Sequence, residues 1–483
     1  MNFKRVLTVI KGVGKILDYN HPTEIKKALS SPIGFTLLIK GQAGTGKTTL
    51  ALALLINTIN AIYLTSRLSP SSLIKQFPWL KDHNCDDALI DASNFGFIDE
   101  TIIAKFKKKI VFHNAPEFLL KIVEITEKME HGTIIIDSWD AIIEKDLKEP
   151  KEILQKVEPF LMELVRQKNY NLVLVTEDKT HDYLDYLADG VVILEDRRVG
   201  MHRVRTIEMK KIRGVKCSQP EYVFSLNNGR FQYFPRFNLI YPSIMIKPPP
   251  IPDPNIEFVS TGIEDFDNLL GGGFKKGSWN FFEISHNIGQ NYFAILQPFL
   301  INHLNLNRGV ICILPEGLSF KGFLNYLDGF TNKEEIKKQI INFTIQEEKI
   351  EGVEEIVLDD DIDKTFSNLR NMQAKLEKTF PGPVLTFIGT DNLAHLYDLN
   401  ELKKNLSKEV ALRKTEKNVT ITLASEKQNQ IVRTLGHMVT NHWKLETYDK
   451  CLIFYGIQPE TELHAVTYDA TEGYISTNLT EIV

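Results

Sequence analysis

The chain has 483 residues, of which 43% are hydrophobic and 25% charged, and it carries a formal net charge of −5. This length is too great for one hydrophobic core and predicts roughly two to four domains. The composition excludes a disordered or membrane-embedded chain. The slightly acidic balance excludes a general attraction for nucleic acid, so only a local basic patch could bind it.

The cysteines and the amino-terminal sequence indicate the compartment. The four cysteines are too far apart for a zinc knuckle or a C-x-x-C redox pair, so we expect reduced core thiols. The amino-terminal residues contain no signal cleavage site, and no apolar stretch is long enough to span a bilayer. We therefore expect a cytoplasmic protein with no membrane partner.

The first distinctive motif is G-x-x-x-x-G-K-T at 41–48, which lies between an apolar run at 35–39 and an Ala/Leu-rich run at 49–56. This order predicts a strand, a glycine loop and a helix. Such a loop turns its N–H groups toward phosphates, the lysine reaches the β- and γ-phosphates, and the threonine hydroxyl can ligate Mg²⁺. The residues expected to bind ATP are Gly41, Gln42, Ala43, Gly44, Thr45, Gly46, Lys47, Thr48 and Thr49.

Strand-like and helical patterns alternate through the rest of the first half. The predicted strands lie at 61–64, 110–112, 133–137, 171–176, 191–194 and 206–209, and the predicted helices at 116–129 and 152–166. This alternation predicts an α/β fold in which helices cover both faces of a mostly parallel sheet.

Acidic and polar residues end two of the predicted central strands. Asp137 ends one of them, where a second carboxylate is needed to hold Mg²⁺ through a water, and Ser138 could assist it. Thr176 and Glu177 end the next strand. These two residues either sense the nucleotide or only cap the strand.

A proline-rich stretch at 241–254 interrupts the pattern and predicts an extended linker. The pattern then starts again, with strands predicted at 279–284, 310–314, 384–388 and 419–424 and a helix at 292–303. We therefore predict a duplicated α/β chain, with domains at 1–240 and 255–483 joined by the linker.

These features together resemble the RecA-type ATPases of the KaiC-like group. The resemblance rests on residues 41–49, 134–138, 187–194, 204–214 and, after the linker, 260–273. It implies two tandem RecA-like domains, of the two-domain archaeal type similar to the gas-vesicle regulator GvpD. In this family a lysine and an arginine in a K-x-R-G stretch reach a neighbouring subunit's γ-phosphate. The resemblance therefore implies a ring or filament and a catalytic set of Lys47, Asp137, Lys211 and Arg213.

The first domain departs from the family at one position. KaiC-like ATPases end the strand after the P-loop helix with glutamates that activate water, whereas this chain has Thr65, Ser66 and Arg67. Loss of a general base typically lowers a rate by ~10²–10⁴-fold. We therefore expect tight ATP binding and slow hydrolysis.

The second domain departs much further. In the family alignment Ile284 takes the place of the first P-loop glycine, Gln290 that of the lysine and Asn291 that of the hydroxyl residue. Gly389 replaces the Mg²⁺-supporting aspartate, and Ile453 and Tyr455 replace the two cations. We therefore expect this domain not to bind Mg·ATP. Glu316 retains the glutamate that the first domain lacks, either as a surface remnant or to serve another domain.

The leading hypothesis is a regulatory or scaffolding ATPase that forms a homo-oligomer or binds a protein partner. A recombinase-like DNA-handling ATPase is the alternative, because it would share the fold. The short, acidic stretch between Thr176 and Asp189 argues against it, whereas a basic cluster favours it: Arg197, Arg198, Arg203 and Arg205. Autophosphorylation would require the second domain's site, which the sequence has lost.

Overall fold

The computed structural model describes residues 21–83, 85–92, 97–98, 115–116, 122, 124, 131–146, 158–159, 161–163, 165–177 and 182–483. The strand predicted at 110–112, most of the helix predicted at 116–129 and part of the helix predicted at 152–166 lie outside these residues. The chain folds into two compact units, one ending at Pro235 and one running from Arg236 to Ile482.

The first unit contains both extended and helical elements. Its strands are β1 (Thr36–Gly41), β2 (Ala61–Thr65), β3 (Leu89–Asp91), β4 (Phe97–Ile98), β5 (Ala115–Pro116), β6 (Thr133–Asp137), β7 (Asn171–Thr176), β8 (Gly190–Val199), β9 (His202–Ile212), β10 (Glu221–Ser225) and β11 (Gln232–Phe234). Its α-helices are α1 (Thr23–Leu29), α2 (Lys47–Asn57), α3 (Pro70–Gln76), α4 (Trp139–Asp146) and α5 (Asp182–Leu187). Short 3₁₀ helices lie at Pro78–His83, Asp86–Ala88 and Asn227–Gly229.

A nine-stranded sheet forms the centre of the first unit, in the order β11-β10-β9-β8-β1-β7-β6-β2-β3. The strands from β8 to β3 pair in parallel, and β9, β10 and β11 continue the sheet antiparallel. All six residues of β1 and all six of β7 are buried, because both faces of the parallel part are covered. This burial explains why these strands are recognisable as continuous apolar runs.

Alternate residues of β1 enter two separate cores. Leu37 and Ile39 pack on one face of the sheet with α1 and α2, whereas Leu38 packs on the other face with Trp139 of α4. Helix α2 is buried on almost every side from Leu50 to Leu55, which fixes the position of the loop at its amino end.

The second unit has a similar set of elements. Its strands are β12 (Phe258–Val259), β13 (Phe274–Lys275), β14 (Trp279–Ile284), β15 (Val310–Ile313), β16 (Ile340–Thr344), β17 (Glu354–Val357), β18 (Leu385–Gly389), β19 (Val419–Ser425), β20 (Asn441–Tyr448), β21 (Cys451–Gln458), β22 (His464–Asp469) and β23 (Ser476–Glu481). Its α-helices are α6 (Glu264–Leu269), α7 (Phe293–Asn305), α8 (Phe320–Leu327), α9 (Lys333–Gln339), α10 (Ile362–Thr379), α11 (Thr390–Leu396), α12 (Leu399–Arg413) and α13 (Asn429–Gly436). A 3₁₀ helix at Gly289–Tyr292 leads into α7.

The sheet of the second unit repeats the topology of the first. Its ten strands are ordered β17-β16-β15-β18-β19-β14-β20-β21-β22-β23. The strands from β17 to β20 are parallel, and β21 to β23 continue antiparallel. When the order of the first sheet is reversed, so that it runs from β3 to β11, the two orders match. Strand β14 then takes the place of β1, β15 of β2, β18 of β6, β19 of β7 and β21 of β9. The chain therefore consists of tandem RecA-like α/β units, each with a mostly parallel sheet flanked by helices.

The proline-rich stretch at 241–254 contains no helix or strand and runs along the second unit. The Ile246 N–H donates to the Gly473 carbonyl at 2.8 Å, and the Ile251 N–H donates to Asn302 Oδ1 at 2.7 Å. Backbone contacts thus tie the extended segment down.

Two expectations from composition can be compared with the described residues. None of the helices there is both long enough and apolar enough to cross a membrane. Cys85, Cys312 and Cys451 are buried free thiols, but the expectation of a core position was wrong for Cys217. Cys217 is exposed because it lies in the loop between β9 and β10.

Candidate nucleotide-binding site

The predicted glycine loop joins the end of β1 to the start of α2. Gly44 has a φ of 80° and Gly46 a φ of 99°, so both adopt the left-handed conformation that favours glycine. Gly46 is also the residue that precedes the first turn of α2, where it offers no capping side chain. The first N–H groups of a buried helix therefore face the loop, and such groups bind anions.

Lys47 is buried beside this loop. Its Nζ donates hydrogen bonds to the Gly41 carbonyl at 2.8 Å and to the Gln42 carbonyl at 2.7 Å. Burial lowers the pKa of Lys47, and nearby Glu177 and Asp137 oppose that shift. Two carbonyl oxygens thus hold the ammonium group at the loop, and the nearby carboxylates offset part of the cost of burying it.

Thr48 and Asp137 meet as the motif predicts. Thr48 Oγ1 donates to Asp137 Oδ2 at 2.7 Å, although the two residues are 89 positions apart. A hydroxyl and a carboxylate are oxygen ligands of the type that Mg²⁺ takes. No group of three or more His, Cys, Asp or Glu residues that could hold a metal occurs among the described residues. An Mg²⁺ at this position would therefore depend on phosphate oxygens and water for the rest of its shell.

Tyr63 is a part of the site that sequence reasoning missed. Its hydroxyl also donates to Asp137 Oδ2, and its side chain is fully buried. Burial raises the pKa of Tyr63 well above its usual range, and the charge on Asp137 raises it further. Tyr63 therefore stays a neutral donor that orients the Asp137 carboxylate. Its position in an apolar run gave no signal of this role.

Asp140 is a second missed residue, and it fixes the end of β7. Thr176 Oγ1 donates to Asp140 Oδ1 at 2.7 Å, and the Glu177 N–H donates to Asp140 Oδ2 at 2.6 Å. The carboxylate lies in the first turn of α4. These contacts cap the end of β7 next to the end of β6, and the sensor role of Thr176 and Glu177 stays a prediction.

Arg67 lies just beyond β2, where the sequence lacks the expected glutamates. Arg67 Nη1 lies 2.6 Å from Glu177 Oε1. Ser66 fixes the preceding backbone, because its N–H donates to the Asp137 carbonyl at 2.9 Å and its hydroxyl donates to the Ser138 carbonyl at 3.0 Å. The end of β2 thus presents a guanidinium, already paired with a carboxylate.

Lys211 and Arg213 are not brought together with Lys47. The Lys211 ammonium donates to the carbonyl oxygens of Asp185 and Ala188 at 2.9 and 2.5 Å. Arg213 Nη1 donates to Asp189 Oδ1 at 3.1 Å. The Asp189 N–H donates to the Thr36 carbonyl, at the first residue of β1, whereas the glycine loop follows its last residue. Five residues of strand correspond to roughly 16 Å.

The predicted basic cluster is largely neutralised within the first unit. Arg197 pairs with Glu195 and Glu221, each at 2.8 Å. Arg203 pairs with Asp196. These pairs remove much of the charge on which the DNA-handling alternative depends.

Arg205 instead supports the glycine loop. Its side chain is buried, and Nη1 donates to the Gly44 carbonyl at 2.9 Å. This contact joins β9 to the loop and could not be inferred from the motif itself.

Comparison with known proteins shows what this chain is similar to. A family model described as "GvpD gas vesicle protein, P-loop domain" matches residues 25–209. The chain is 25% identical to Protein GvpD2 of Halobacterium salinarum over 96% of both chains. It is 28% identical to Protein GvpD1 of the same organism over 61% of this chain and 56% of GvpD1. It is also 28% identical to the circadian clock oscillator protein KaiC of Parathermosynechococcus lividus, over 51% of this chain and 46% of KaiC.

The chain is similar to RecA-type P-loop proteins of the KaiC-like group. The match to KaiC spans about half of each chain, and the match to GvpD2 extends through both units. The predicted resemblance and the fold class are thereby confirmed.

The second KaiC-like unit has a carboxylate at the loop that corresponds to the glycine loop. Glu426 follows β19, just as Glu177 follows β7. Its Oε1 accepts the His286 N–H at 3.1 Å and its Oε2 accepts the Ser285 hydroxyl at 2.9 Å. His286 Nδ1 also contacts Glu426, and this contact lowers the pKa of Glu426 to about 2. The Glu426 carboxylate therefore accepts hydrogen bonds from an N–H group and a hydroxyl group of this loop.

Three other positions of the corresponding site also contact groups of this unit. A β-carbon on Gly389 would lie 2.4 Å from the α-carbon of Pro315, so this position has no room for an aspartate. Gln290 accepts a hydrogen bond from the Tyr326 hydroxyl. Glu316 lies 3.2 Å from His395 Nε2. At these positions the second unit thus has contacts between its own groups.

Proposed function

We propose that this protein is an ATP-binding regulatory or scaffolding ATPase. In this proposal the domain at 1–240 binds Mg·ATP and hydrolyses it slowly, and the domain at 255–483 binds no nucleotide. The observation that carries the proposal is the asymmetry between two units of one topology. One retains the loop, the lysine and the Thr48–Asp137 pair, and the other has Glu426 on its loop and Gly389 against Pro315.

The residues of the first unit fit a triphosphate with its metal. The loop and the amino end of α2 would hold phosphates, Lys47 would contact the outer ones, and Thr48 and Asp137 would hold Mg²⁺. Bound ATP supplies a phosphoryl group that hydrolysis can remove. Tyr63 and Arg205 would keep the carboxylate and the loop in position, because both contact the site from rigid strands.

The absence of a carboxylate at the end of β2 is the reason we expect slow hydrolysis. The residues after this strand, 66–70, carry no carboxylate, and Arg67 is paired with Glu177. In this pair Oε1 of Glu177 accepts a hydrogen bond from Arg67 at 2.6 Å, so this oxygen is already occupied. Glu177 would therefore need to leave Arg67 before it could act as a base.

Assembly and location complete the proposal. We expect a cytoplasmic homo-oligomer, or a complex with a protein partner, in which Lys211 and Arg213 serve the site of another chain. Their distance along the sheet from their own loop supports a role in trans. The matching family model is described as a gas vesicle protein and one relative is named as a clock oscillator protein. We take these names to favour a regulatory role over a metabolic one.

Phosphate release from the full chain tests the proposed rate. With saturating Mg·ATP we expect a turnover far below ~1 s⁻¹, the low end of ordinary enzyme rates. Lys47→Ala should abolish it, and Lys75→Ala, which removes an exposed lysine from α3, should not. Turnover at or above that rate in the wild type would contradict the proposal of a slowly hydrolysing switch.

A further inference from the structure

The Arg67–Glu177 pair spans the strand that carries the metal-binding aspartate. Thr65 at the end of β2 is in register with Asp137, and Asp137 is in register with Val175 of β7. Arg67 lies two residues beyond Thr65, and Glu177 two beyond Val175. The ion pair therefore crosses over the carboxyl end of β6, at the edge of the sheet where Asp137 meets Thr48.

The pair also lies within electrostatic range of Lys47. Glu177 is the charge that most strongly favours the protonated lysine, and Arg67 opposes it. Arg67 therefore adds a second cation at the carboxyl end of β6, where Asp137 meets Thr48. Arginine suits this task, because its planar group can bind phosphate oxygens through two donors.

The side chains of the pair can separate without disturbing the fold. They are 49% and 38% exposed, and such surface pairs contribute little to stability. Their backbones are held by other contacts, since Ser66 bonds to residues 137 and 138 and the Glu177 N–H bonds to Asp140. Reorientation therefore requires only side-chain rotations.

We propose that Arg67 determines the preference of this site for ATP over ADP by exchanging Glu177 for the terminal phosphate. This inference rests on the proposed function, that is, on nucleotide binding at the first unit. In the exchange no covalent bond changes: Arg67 keeps its charge and replaces a carboxylate partner by a more highly charged phosphate. Glu177 is its resting counter-ion and is released from it when ATP is bound.

Equilibrium binding of ATP and of ADP, both with Mg²⁺, tests this assignment in the full chain. The variants are Arg67→Gln, Glu177→Gln and the control Arg198→Gln, which removes an exposed arginine from β8. We expect Arg67→Gln to weaken ATP binding on the order of ten- to a hundred-fold, the range of a charge-assisted hydrogen bond, and ADP binding by less than about threefold. Glu177→Gln removes the competing carboxylate, so it should strengthen ATP binding more than ADP binding.

The outcomes separate this inference from the function on which it rests. If the wild type binds neither nucleotide, or Lys47→Ala binds both as well as the wild type, the proposed function fails. If binding depends on Lys47 but Arg67→Gln changes the two affinities by equal factors, the role of Arg67 is refuted and the function stands. A melting temperature of Arg67→Gln close to that of the wild type excludes misfolding as the cause.

Discussion

Asp137 depends on residues that no local motif reveals. Its Oδ2 accepts from Thr48 and from Tyr63, which are 89 and 74 positions away in sequence. The glycine loop, Lys47 and Thr48 were predictable because they form one contiguous motif. Tyr63 and Asp140 were not, because each acts through a fold contact between strands or helices far apart in sequence. The same holds for Arg205, which reaches the Gly44 carbonyl from β9.

Tyr63→Phe tests the support of Asp137. The variant leaves the half-buried Asp137 carboxylate with one donor fewer, and a hydrogen bond to a charged group contributes about 1.5–3 kcal/mol. We expect the free energy of unfolding of the first unit to fall by about that amount and Mg²⁺-dependent ATP binding to weaken. Tyr186→Phe is the control, since that side chain is 76% exposed. Equal stability of Tyr63→Phe and the wild type would contradict the role given to Tyr63.

At the scale of elements, prediction succeeded where the signal was continuous. The runs at 133–137 and 171–176 match β6 and β7, because strands buried on both faces consist almost entirely of apolar residues. The predicted strands at 191–194 and 206–209 were too short. Strand β8 extends to Val199 and its outer half alternates between half-buried and exposed residues. Strand β9 runs from His202 to Ile212 and has exposed residues near both ends, so the apolar signal ends early in each strand.

Helix α10 of the second unit was not predicted. Helix α10 buries Ile362, Phe366, Leu369 and Leu376 along one face, and its other positions are mostly polar or charged. The helical spacing of its apolar residues is visible in the sequence. Only the structure shows that this helix connects β17 to β18.

Gly389, at the end of β18, provides a test of whether one substitution can restore nucleotide binding to the second unit. Gly389→Asp would restore the residue type of Asp137, but its β-carbon would meet the Pro315 backbone at 2.4 Å. We expect a loss of about 2–4 kcal/mol in the stability of this unit and no gain of nucleotide binding. At Gly317 a β-carbon would meet nothing within 4 Å, so the control Gly317→Asp should cost only about 1–2 kcal/mol for its positive φ. Gain of ATP binding by Gly389→Asp would show that the site is intact apart from one residue.

At the scale of the whole molecule, the duplication was visible in the sequence and the asymmetry of its two sites was inferred from it. The repeated sheet order confirms the tandem RecA-like fold. The contacts of Glu426 could not have been foreseen, because they join residues 140 positions apart. Sequence reasoning could name the missing groups, but it could not show what had replaced them.

A mixing experiment tests the proposed assembly. If Arg213 serves another chain's site, Lys47→Ala chains supply the arginine and Arg213→Ala chains supply the glycine loop. Randomly mixed oligomers should then recover about a quarter of the wild-type phosphate release, since about a quarter of the interfaces combine both intact parts. Arg213 is 54% exposed, so its removal should leave the fold intact. A mixture of Lys47→Ala with Arg198→Ala chains is the control. Its phosphate release would come from the Arg198→Ala chains, which we expect to be active without a partner variant.

Failure of the Arg213→Ala mixture to exceed its separate components would contradict a role of Arg213 in trans. That comparison is made at matched total chain concentration, because assembly depends on it.

The stoichiometry of ATP binding tests the central claim most directly. Equilibrium binding of Mg·ATP to the full chain, with the protein concentration well above the dissociation constant, measures the number of sites per chain. The account predicts one site in the wild type and none in Lys47→Ala, because the second unit places Glu426 on its own loop. Two sites per chain, or one site that survives Lys47→Ala, would contradict it.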